Sequence, residues 1–441
     1  MDRKILITII LLITVLAGCR RSNYFIEYTE VVEDLGGGTG TVTWTADKSY
    51  VLSGFVFVND GQVLTIEPGT IIRAKTGQGS LASALIVARG GQIIAQGTAS
   101  DPIIFTVEGD DLEGSVPVES KGLWGGVIIL GYAPVNVDHG EDMIEGIPVS
   151  ESRGVYGGEY EDDNSGILSY VSIRHGGTNI GEGNEINGLT LGGVGRKTTI
   201  DYIEVISNAD DGIEIFGGTV NCKNISVAYC GDDAFDFDKG YSGKCQFLLG
   251  FNNEESDKGI ECSGGDQALP VIPDAFPSIY NITLVGEPGA NDIPLIDFSS
   301  YGAGHIKNSL FIHTEAGIAV NHSEKAGDSY SMFENGYVSL ENNEYYNDSD
   351  ASLAIYAYNE FNDVFLTENS ILADSLESWG NIQGNPLHAG ENGLSLLPDT
   401  TVFDNLATYT SSWYENVTYK GAFGSENWIE GWTLLWEYLS N

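Results

Sequence analysis

Short runs of alternating hydrophobic and polar residues recur along this chain at a nearly constant spacing. The clearest example is the stretch Asp201 to Gly265, which matches itself when shifted by 22 residues. The shift superposes the alternating apolar positions, with Ile203 and Val205 falling on Ile225 and Val227, and these on Phe247 and Leu249. Runs of this kind between Gly, Asn and Asp residues are typical of half-buried strands separated by turns. A repeat of this length indicates stacked units, each of which buries its apolar face against its neighbours.

The same rhythm extends in both directions from the central stretch. Val171 and Ile173 fall on Ile203 and Val205 after a shift of 32 residues, with the excess in the Gly-rich insert Gly176 to Gly195. Towards the C-terminus the spacing becomes 28 residues in two series, Ile282, Leu310, Val338 and Leu284, Ile312, Leu340, followed 26 residues later by Val364 and Leu366. The 3.6-residue periodicity of amphipathic helices is missing. The pattern predicts an all-β right-handed parallel β-helix solenoid with coils of about 22–28 residues, its handedness taken from the general preference of parallel crossovers.

The predicted solenoid occupies residues 41–425, and an aromatic C-terminal segment follows at residues 426–441. The last coil of a solenoid has unpaired strand edges that must be covered. Trp428, Trp432 and Trp436 supply apolar surface for this purpose. The segment is therefore predicted to be a C-terminal aromatic cap.

The N-terminus has the features of an export signal. Arg3 and Lys4 precede the apolar run Ile5 to Val15, which is too short for an ordinary membrane-spanning helix. The sequence Leu16-Ala17-Gly18-Cys19 then resembles the lipobox of bacterial lipoproteins. The resemblance implies a signal peptide at residues 1–18, a lipidated Cys19 and a tether to residue 40, with a lipid anchor in the outer membrane. The cell surface is favoured over the periplasmic face, although Arg20 and Arg21 stand where surface lipoproteins often carry acidic residues.

The charge balance limits the kinds of partner. Lys and Arg number 20 against 63 Asp and Glu, which gives a formal net charge of -43. Nucleic acid is excluded because binding it requires cations that face the phosphates. Polyanionic sugars are excluded unless metal cations bridge the two surfaces. A surface of this charge is either simply soluble and self-repelling or a collector of divalent cations.

Four cysteines lie in the central repeat: Cys222, Cys230, Cys245 and Cys262. An exported protein can form disulfides, but strands stacked in parallel orient neighbouring Cβ atoms poorly for a bridge. The residues are interpreted mainly as small buried hydrophobes, and their pairing stays open. The absence of a CxxC pair argues against a zinc site.

Acidic residues repeat with the same period as the apolar ones and form the best candidate for chemistry. The pair Asp210-Asp211 falls on Asp232-Asp233, and Ile213-Glu214-Ile215 falls on Phe235-Asp236-Phe237 and then on Ile260-Glu261-Cys262. Alternation turns the middle residue of each triplet outward, so the carboxylates are predicted to stack on adjacent coils. The predicted metal ligands are Asp210, Asp211, Glu214, Asp232, Asp233, Asp236 and Glu261. Clustered carboxylates are hard oxygen ligands that suit calcium.

Two other interpretations of this acidic ladder remain open. The Asp side chains could simply bond backbone amides in solvated turns. In an enzyme, Asp211, Asp233 and Asp236 would be the catalytic acids, since paired carboxylates cleave glycosidic bonds. A lyase would need a base, for which Lys258, Lys239 and Arg174 are candidates, as is His175 for a catalytic role. Lys258 occupies the position of Asp211 in the third repeat, so it could equally pair with Asp233.

Several phrases of the chain resemble a group of secreted or lipid-anchored parallel β-helix proteins of Bacteroidota. They are Leu85 to Gly91, Gly122 to Gly131, Asn187 to Gly195, Gly231 to Asp236, Gly421 to Gly424 and Asn427-Trp428. The resemblance implies the fold and an envelope location, and it implies no particular activity. The fold is also similar to that of pectin-lyase-like β-helices, which include glycoside hydrolases and polysaccharide lyases, but this is an analogy of fold alone.

Together these features predict a lipid-anchored, non-enzymatic β-helix of the cell envelope. It would bind a glycan or a protein partner, such as an outer-membrane protein, with calcium held by the acidic ladder. The alternative is a polysaccharide-degrading β-helix enzyme, either a glycoside hydrolase or a lyase.

Overall fold

The computed structural model describes residues 29–181, 184–264, 275–288, 293–313, 316–323, 328–347, 354–359, 365–384, 387–390, 393–398 and 405–440. The predicted signal peptide and the predicted lipidation site Cys19 lie outside these residues. Within the described ranges, none of the helices has the length and apolar character needed to cross a bilayer.

Short strands dominate the secondary structure, as the alternating pattern predicts. In chain order the strands are β1 Thr29–Glu33, β2 Val42–Trp44, β3 Ser49–Ser53, β4 Phe55–Val58, β5 Val63–Ile66, β6 Ile71–Ala74, β7 Ala84–Val87, β8 Gln92–Gln96, β9 Ile103–Val107, β10 Val127–Leu130, β11 Glu141–Met143, β12 Val155–Gly157, β13 Gly166–Arg174, β14 Thr178–Gly181, β15 Asn184–Ile186, β16 Leu189–Gly192, β17 Thr199–Ile206, β18 Ile213–Phe216, β19 Asn221–Ala228, β20 Phe235–Asp238, β21 Lys244–Phe251, β22 Ile260–Cys262, β23 Ser278–Val285, β24 Ile296–Phe298, β25 Gly304–Lys307, β26 Leu310–Ile312, β27 Ile318–Asn321, β28 Val338–Glu341, β29 Glu344–Tyr346, β30 Ile355–Tyr358, β31 Ile382–Gln383, β32 Leu387–Gly390 and β33 Gly393–Pro398. The α-helices are α1 Ser329–Glu334, α2 Leu366–Ser378 and α3 Leu434–Ser440, and short 3-10 helices lie at Gly79–Leu81, Asp138–Gly140 and Ser152–Gly154.

Two long parallel sheets wrap around a common apolar core. Ten strands form the first sheet in the order β4, β7, β10, β16, β18, β20, β22, β24, β27, β30, and seventeen others form the second. Successive neighbours in the first sheet are separated along the chain by strands of the second, so the chain returns to each sheet once per coil. Three antiparallel hairpins, β11–β12, β14–β15 and β32–β33, project from this stack. The prediction of an all-β parallel β-helix solenoid is confirmed.

The longest strands of the second sheet bend once, which lets each of them contribute to two sides of the coil. Strands β13, β17, β19, β21 and β23 each contain one non-glycine residue with a left-handed backbone, and these are Tyr170, Tyr202, Asn224, Phe247 and Asn281, with φ between 51° and 59°. Such residues interrupt the regular pleat and turn the chain. The apolar residues on either side, such as Ile203 and Val205, remain buried in the core.

The register agrees with the predicted repeat in the centre and departs from it further along. Ile203 and Val205 pair with Ile225 and Val227, as predicted. Ile225 then pairs with Leu248, so the predicted match to Phe247 is wrong. The turn between β20 and β21 is one residue longer than the turn between β18 and β19, which shifts the register by one.

The predicted 28-residue spacing near the C-terminus also has the wrong register. Leu310 pairs with Thr283 instead of Ile282, and Val338 pairs with Gly304. Leu366 begins helix α2 instead of continuing a strand, and Val364 lies outside the described residues. Connections between strands vary in length here, so the stacking continues while the period in the sequence does not.

Both ends of the solenoid differ from the predicted boundaries. Residues 29–33, predicted as part of a tether, form strand β1, which pairs with β3 in parallel register. Helix α2 packs against β30, the terminal strand of the first sheet, and buries Leu372 and Leu376 in the main core. Helix α2 therefore covers the C-terminal end of the stack.

The aromatic C-terminal segment lies elsewhere than predicted. Its apolar residues, Ala422, Phe423, Ile429 and Leu435, pack with Ile206, Ala228, Leu249, Val285 and Leu310 of five successive coils. The segment therefore covers the flank of the middle coils, and the predicted position over the last coil is corrected. The outward apolar side chains at the ends of β17, β19, β21 and β23 explain the difference, because they form a continuous strip that needs cover.

All four cysteines of the central repeat are free and buried. Cys222 and Cys245 are register partners on adjacent strands, and Cys262 takes the inward position of Phe237 in the next coil. We expect a thiol reagent to modify none of them in the native chain from Asn23, because burial excludes the reagent and raises the pKa of Cys230 to about 12. In non-reducing denaturant, all four thiols should react. A titre below four would show that a bridge had formed.

Candidate acidic site on the ten-stranded sheet

The acidic ladder forms on the outer face of the ten-stranded sheet. Glu214, Asp236 and Glu261 are register partners on β18, β20 and β22, and Asp297 on β24 extends the series. Their neighbours in each strand, such as Ile213 and Ile215, are buried in the core, so the carboxylates point away from it. Adjacent parallel strands lie about 4.8 Å apart, and this spacing brings the carboxylates together as predicted.

The turns that lead into these strands carry a second column of acids. The Asp211 Oδ1 atom accepts the backbone N–H of Asp233 at 2.9 Å, and the Asp233 Oδ1 atom accepts the N–H of Lys258 at 2.6 Å. Each Asp thus fixes the start of the next coil. Gly212 follows Asp211 because a Cβ atom there would lie 2.1 Å from Val227 Cγ1. Asp211 and Asp233 therefore have the backbone-bonding role that the structural interpretation gave them.

Three sets of carboxylates come close enough to share a cation. One oxygen from each member lies within 4.8 Å of the others in the sets Asp210–Asp211–Asp232, Asp211–Glu214–Asp236 and Asp232–Asp233–Asp257. In the second set the Asp236 Oδ1 atom is buried and has no hydrogen-bond partner. A buried oxygen of this kind costs free energy unless a proton or a cation satisfies it. The second set is therefore the best-formed candidate for an ion.

Polar residues cover Glu214 from the solvent side. The Asn187 amide donates to the Glu214 Oε2 atom at 2.5 Å and to the Glu145 Oε1 atom at 3.3 Å. Glu145 comes from the loop after β11 and hydrogen-bonds with Glu214. The Asn187 Oδ1 atom is buried without a partner, like Asp236 Oδ1. Glu214 itself is only 7% exposed, so the ladder is covered at this end.

A lysine neutralises the other end of the ladder. The Lys258 Nζ atom lies 3.6 Å from Asp233 Oδ1, 2.5 Å from Asp257 Oδ2 and 3.0 Å from Glu261 Oε2. The predicted pairing of Lys258 with Asp233 is confirmed. Burial works against the ionised form of Glu261, but the charge of Lys258 prevails and lowers the pKa of that carboxyl. A cation has less to gain at Asp233 and Glu261 than at Asp236.

Burial and mutual repulsion make the other carboxyls weak acids. Burial is the main cause that raises the pKa of Glu145 to about 7, of Asp210 to about 8 and of Asp232 to about 6. The pKa values of Asp211, Glu214 and Asp236 also rise well above their usual range, through burial first and then through neighbouring carboxylates. At neutral pH the cluster therefore retains protons in the absence of a cation.

The other residues considered for catalysis have different surroundings. Lys239 lies 3.7 Å from Asp238 at the end of β20. Arg174 and His175 end β13 in the second sheet, where they bond Ser172 Oγ and the Ser120 carbonyl, neither of which belongs to the ladder. Of the proposed catalytic acids, Asp211 and Asp233 are 7% and 2% exposed, and Asp236 is more open.

Three residues of the site were not among the predicted ones. Asp297 has the same apolar–acid–apolar context as Glu214, so Ile296-Asp297-Phe298 could have revealed it. Asn187 precedes Gly188-Leu189 as Asp211 precedes Gly212-Ile213, which is also a readable signal. Glu145 lies in a loop without a repeat, and no sequence pattern indicates it.

The whole arrangement agrees with a comparison to known protein families. The sequence profile of the family described as a pectate-lyase-like beta helix domain matches residues 36–384. The chain belongs to this family. No curated protein and no solved structure matches it. The pectate-lyase-like domain fits a glycan-binding or glycan-degrading role, and the narrower resemblance to β-helix proteins of Bacteroidota stays a prediction.

Proposed function

We propose that this pectate-lyase-like β-helix is a lipid-anchored envelope protein that binds glycan on the outer face of its ten-stranded sheet, with calcium held at Asp211, Glu214 and Asp236. The buried, unpartnered Asp236 Oδ1 atom within a three-carboxylate set carries this proposal. The anchor would be the lipidated Cys19, on the outer membrane and facing the cell surface.

The donor set suits calcium better than a transition metal. All the groups around Asp236 are carboxylate or amide oxygens, which are the ligands that calcium prefers. Asp210 and Asp232 belong to an adjoining set that shares Asp211. A bound cation would neutralise these carboxylates and could bridge the acidic surface to hydroxyl or carboxyl groups of a glycan. The chain's own contribution is to hold the oxygens close together and shielded from water.

The far end of the ladder offers surface that suits a sugar ring. Tyr356 and Tyr358 lie on β30, and the Tyr358 hydroxyl donates to the Asp297 carboxylate at 2.8 Å. Tyr356 and Tyr358 are both half-buried. Aromatic faces beside fixed hydrogen-bonding groups are a common arrangement for sugar recognition.

We expect calcium to raise the melting temperature of the soluble chain from Asn23 by a few degrees relative to EGTA. A ligand at one hundred times its dissociation constant stabilises the native state by about 2.7 kcal/mol. Asp236→Asn should lose most of this increase because it removes one charge and replaces the unpartnered oxygen set. Asp162→Asn serves as the control, since Asp162 is an exposed acid in an ion pair with Arg196. An equal calcium effect in Asp236→Asn would disprove the assigned site.

One observation favours the enzymatic alternative. Glu145, with a pKa of about 7, lies next to Glu214 and could donate a proton near neutral pH, as general acids do. The discriminating assay measures new reducing ends or unsaturated products from a polysaccharide panel, with calcium present. Turnover that disappears in Glu145→Gln would replace the binding proposal with a degrading enzyme. Binding of a glycan without turnover would support the proposal as stated.

A further inference from the structure

A second candidate site lies on the flank of the solenoid, away from the acidic ladder. A cavity of about 310 Å³ opens between the loop at residues 108–120, the end of β13 and helix α3. Arg174 and His175 form its floor, while Leu112, Val116 and Leu434 supply apolar walls. The volume is at the lower end of the range for small-molecule sites.

Arg174 is a buried cation whose outer nitrogens face this cavity. The residue is 5% exposed, and its Nε atom donates to Ser172 Oγ at 2.8 Å. Within the described part of the chain, no hydrogen bond reaches its two terminal nitrogens. These nitrogens carry four N–H groups in a planar fork. A nearly buried guanidinium with free donors that line a cavity points to an anionic ligand.

The nearby carboxylates do not satisfy these donors. Glu204 lies 4.0 Å from Arg174 Nε, and its two oxygens accept the backbone N–H groups of Leu434 and Leu435. Asp110 accepts from Thr106 Oγ1 at 2.6 Å and from the Leu112 N–H at 2.8 Å. Both acids are thus committed to holding the cavity walls in place. Glu113 and Glu437 are exposed at the mouth.

His175 fixes the geometry of the floor. Its backbone has a left-handed φ of 62°, and its Nδ1 atom lies 2.6 Å from the Ser120 carbonyl oxygen. A carbonyl only accepts, so Nδ1 carries the hydrogen and Nε2 retains its lone pair in the neutral ring. The Arg174 carbonyl accepts from Trp124 Nε1 at 2.8 Å. The backbone that carries Arg174 is therefore held rigidly from both sides.

We propose that this cavity binds a small molecule with one carboxylate group and a hydroxylated or apolar body, such as a hexuronic acid. The planar fork of Arg174 matches a carboxylate in a bidentate arrangement. A single negative charge is favoured over a dianion such as phosphate, because Glu113 and Glu437 repel further charge at the mouth. The apolar walls would contact the uncharged part of the ligand. This site does not depend on the calcium proposed for the acidic ladder.

The test measures binding of D-glucuronate to the soluble chain from Asn23 in EGTA, which keeps the acidic ladder free of calcium. Thermal shift and isothermal titration should both detect glucuronate, while D-glucose and inorganic phosphate should bind at least tenfold more weakly. Arg174→Gln should weaken glucuronate binding at least tenfold, and Arg174→Lys should weaken it less. Arg196→Gln, which removes an exposed arginine paired with Glu161 and Asp162, should bind like the unmodified chain.

A further variant keeps the test decisive if Arg174→Gln does not fold. Leu112→Trp fills the cavity from the loop and leaves Arg174 unchanged, and it should also abolish binding. Glucuronate binding that survives in Leu112→Trp and in Arg174→Lys at full strength would overturn the proposal. Equal binding of glucose would overturn the requirement for a carboxylate, and a lack of any glucuronate binding would overturn the site.

Discussion

In the absence of metal, the protein should lose stability as the pH rises from about 5 to 8, in contrast to the usual increase over this range. The carboxyls of the acidic ladder have raised pKa values in the folded state, about 7 for Glu145, 8 for Asp210 and 6 for Asp232, chiefly through burial. In the unfolded chain they ionise near pH 4. Between these limits the folded state binds more protons than the unfolded state, so raising the pH favours unfolding.

The expected effect is large. A tenfold change in proton affinity is worth about 1.4 kcal/mol, so Glu145 alone accounts for roughly 3 kcal/mol of stability that is present below pH 4 and lost by about pH 8. Other members of the ladder add to this, although their contributions overlap because they share neighbours. Chemical denaturation in EGTA at several pH values measures the effect directly.

Calcium should act most strongly where the metal-free protein is weakest. The metal binds ionised carboxylates, so its affinity rises with pH, and added calcium should flatten the pH dependence. Glu145→Gln should reduce the slope in EGTA because it removes one titrating group. Glu430→Gln, at an exposed position, is the matched control and should leave the slope unchanged. A stability that rises from pH 5 to 8 in EGTA would contradict the raised pKa values.

The sequence predicts the fold well because the repeat is a direct consequence of stacking. Each coil must place apolar residues inside at the same two positions, as Ile203 and Ile225 show. The turns face solvent and can change length freely, as happens before β21, so the register beyond that point could not be read by a fixed shift. The position of the C-terminal segment was also unreadable, because the strip that it covers is assembled from residues of five different coils.

The acidic ladder was predictable for a similar reason, and its cover was not. Glu214, Asp236 and Glu261 occupy the same place in successive strands, so their alignment follows from the repeat. Glu145 and its hydrogen bond with Glu214 depend on a loop that leaves the stack and folds back. Burial of the ladder, which raises its pKa values, is therefore a tertiary property. The cavity at Arg174 needs three separate segments and has no counterpart in the repeat.

Replacing Glu204 should destabilise the protein more than replacing any exposed acid. Glu204 is fully buried and accepts from Ser172 Oγ at 2.5 Å, the Leu434 N–H at 3.0 Å and the Leu435 N–H at 2.9 Å. It is also the carboxylate nearest to the buried Arg174, at 4.0 Å. Breaking a buried ion pair by removing one partner costs about 3–5 kcal/mol. We expect Glu204→Ala to fall in this range.

The same change should release the C-terminal segment from the flank before the solenoid itself unfolds. Glu204 holds the first turn of helix α3, and Trp432 and Trp428 contact Tyr170 and Tyr202 in the same region. Release would expose these tryptophans, which a red shift of their fluorescence and faster proteolysis after residue 405 would report. Glu204→Gln should show a smaller effect, since one oxygen remains to accept. The control is Glu415→Gln, which changes an exposed glutamate of the same segment in an ion pair with Lys223, and exposed pairs contribute less than about 1 kcal/mol. If both variants behaved alike, the docking of this segment would rest on its apolar contacts alone, and Glu204 would have no special part in it.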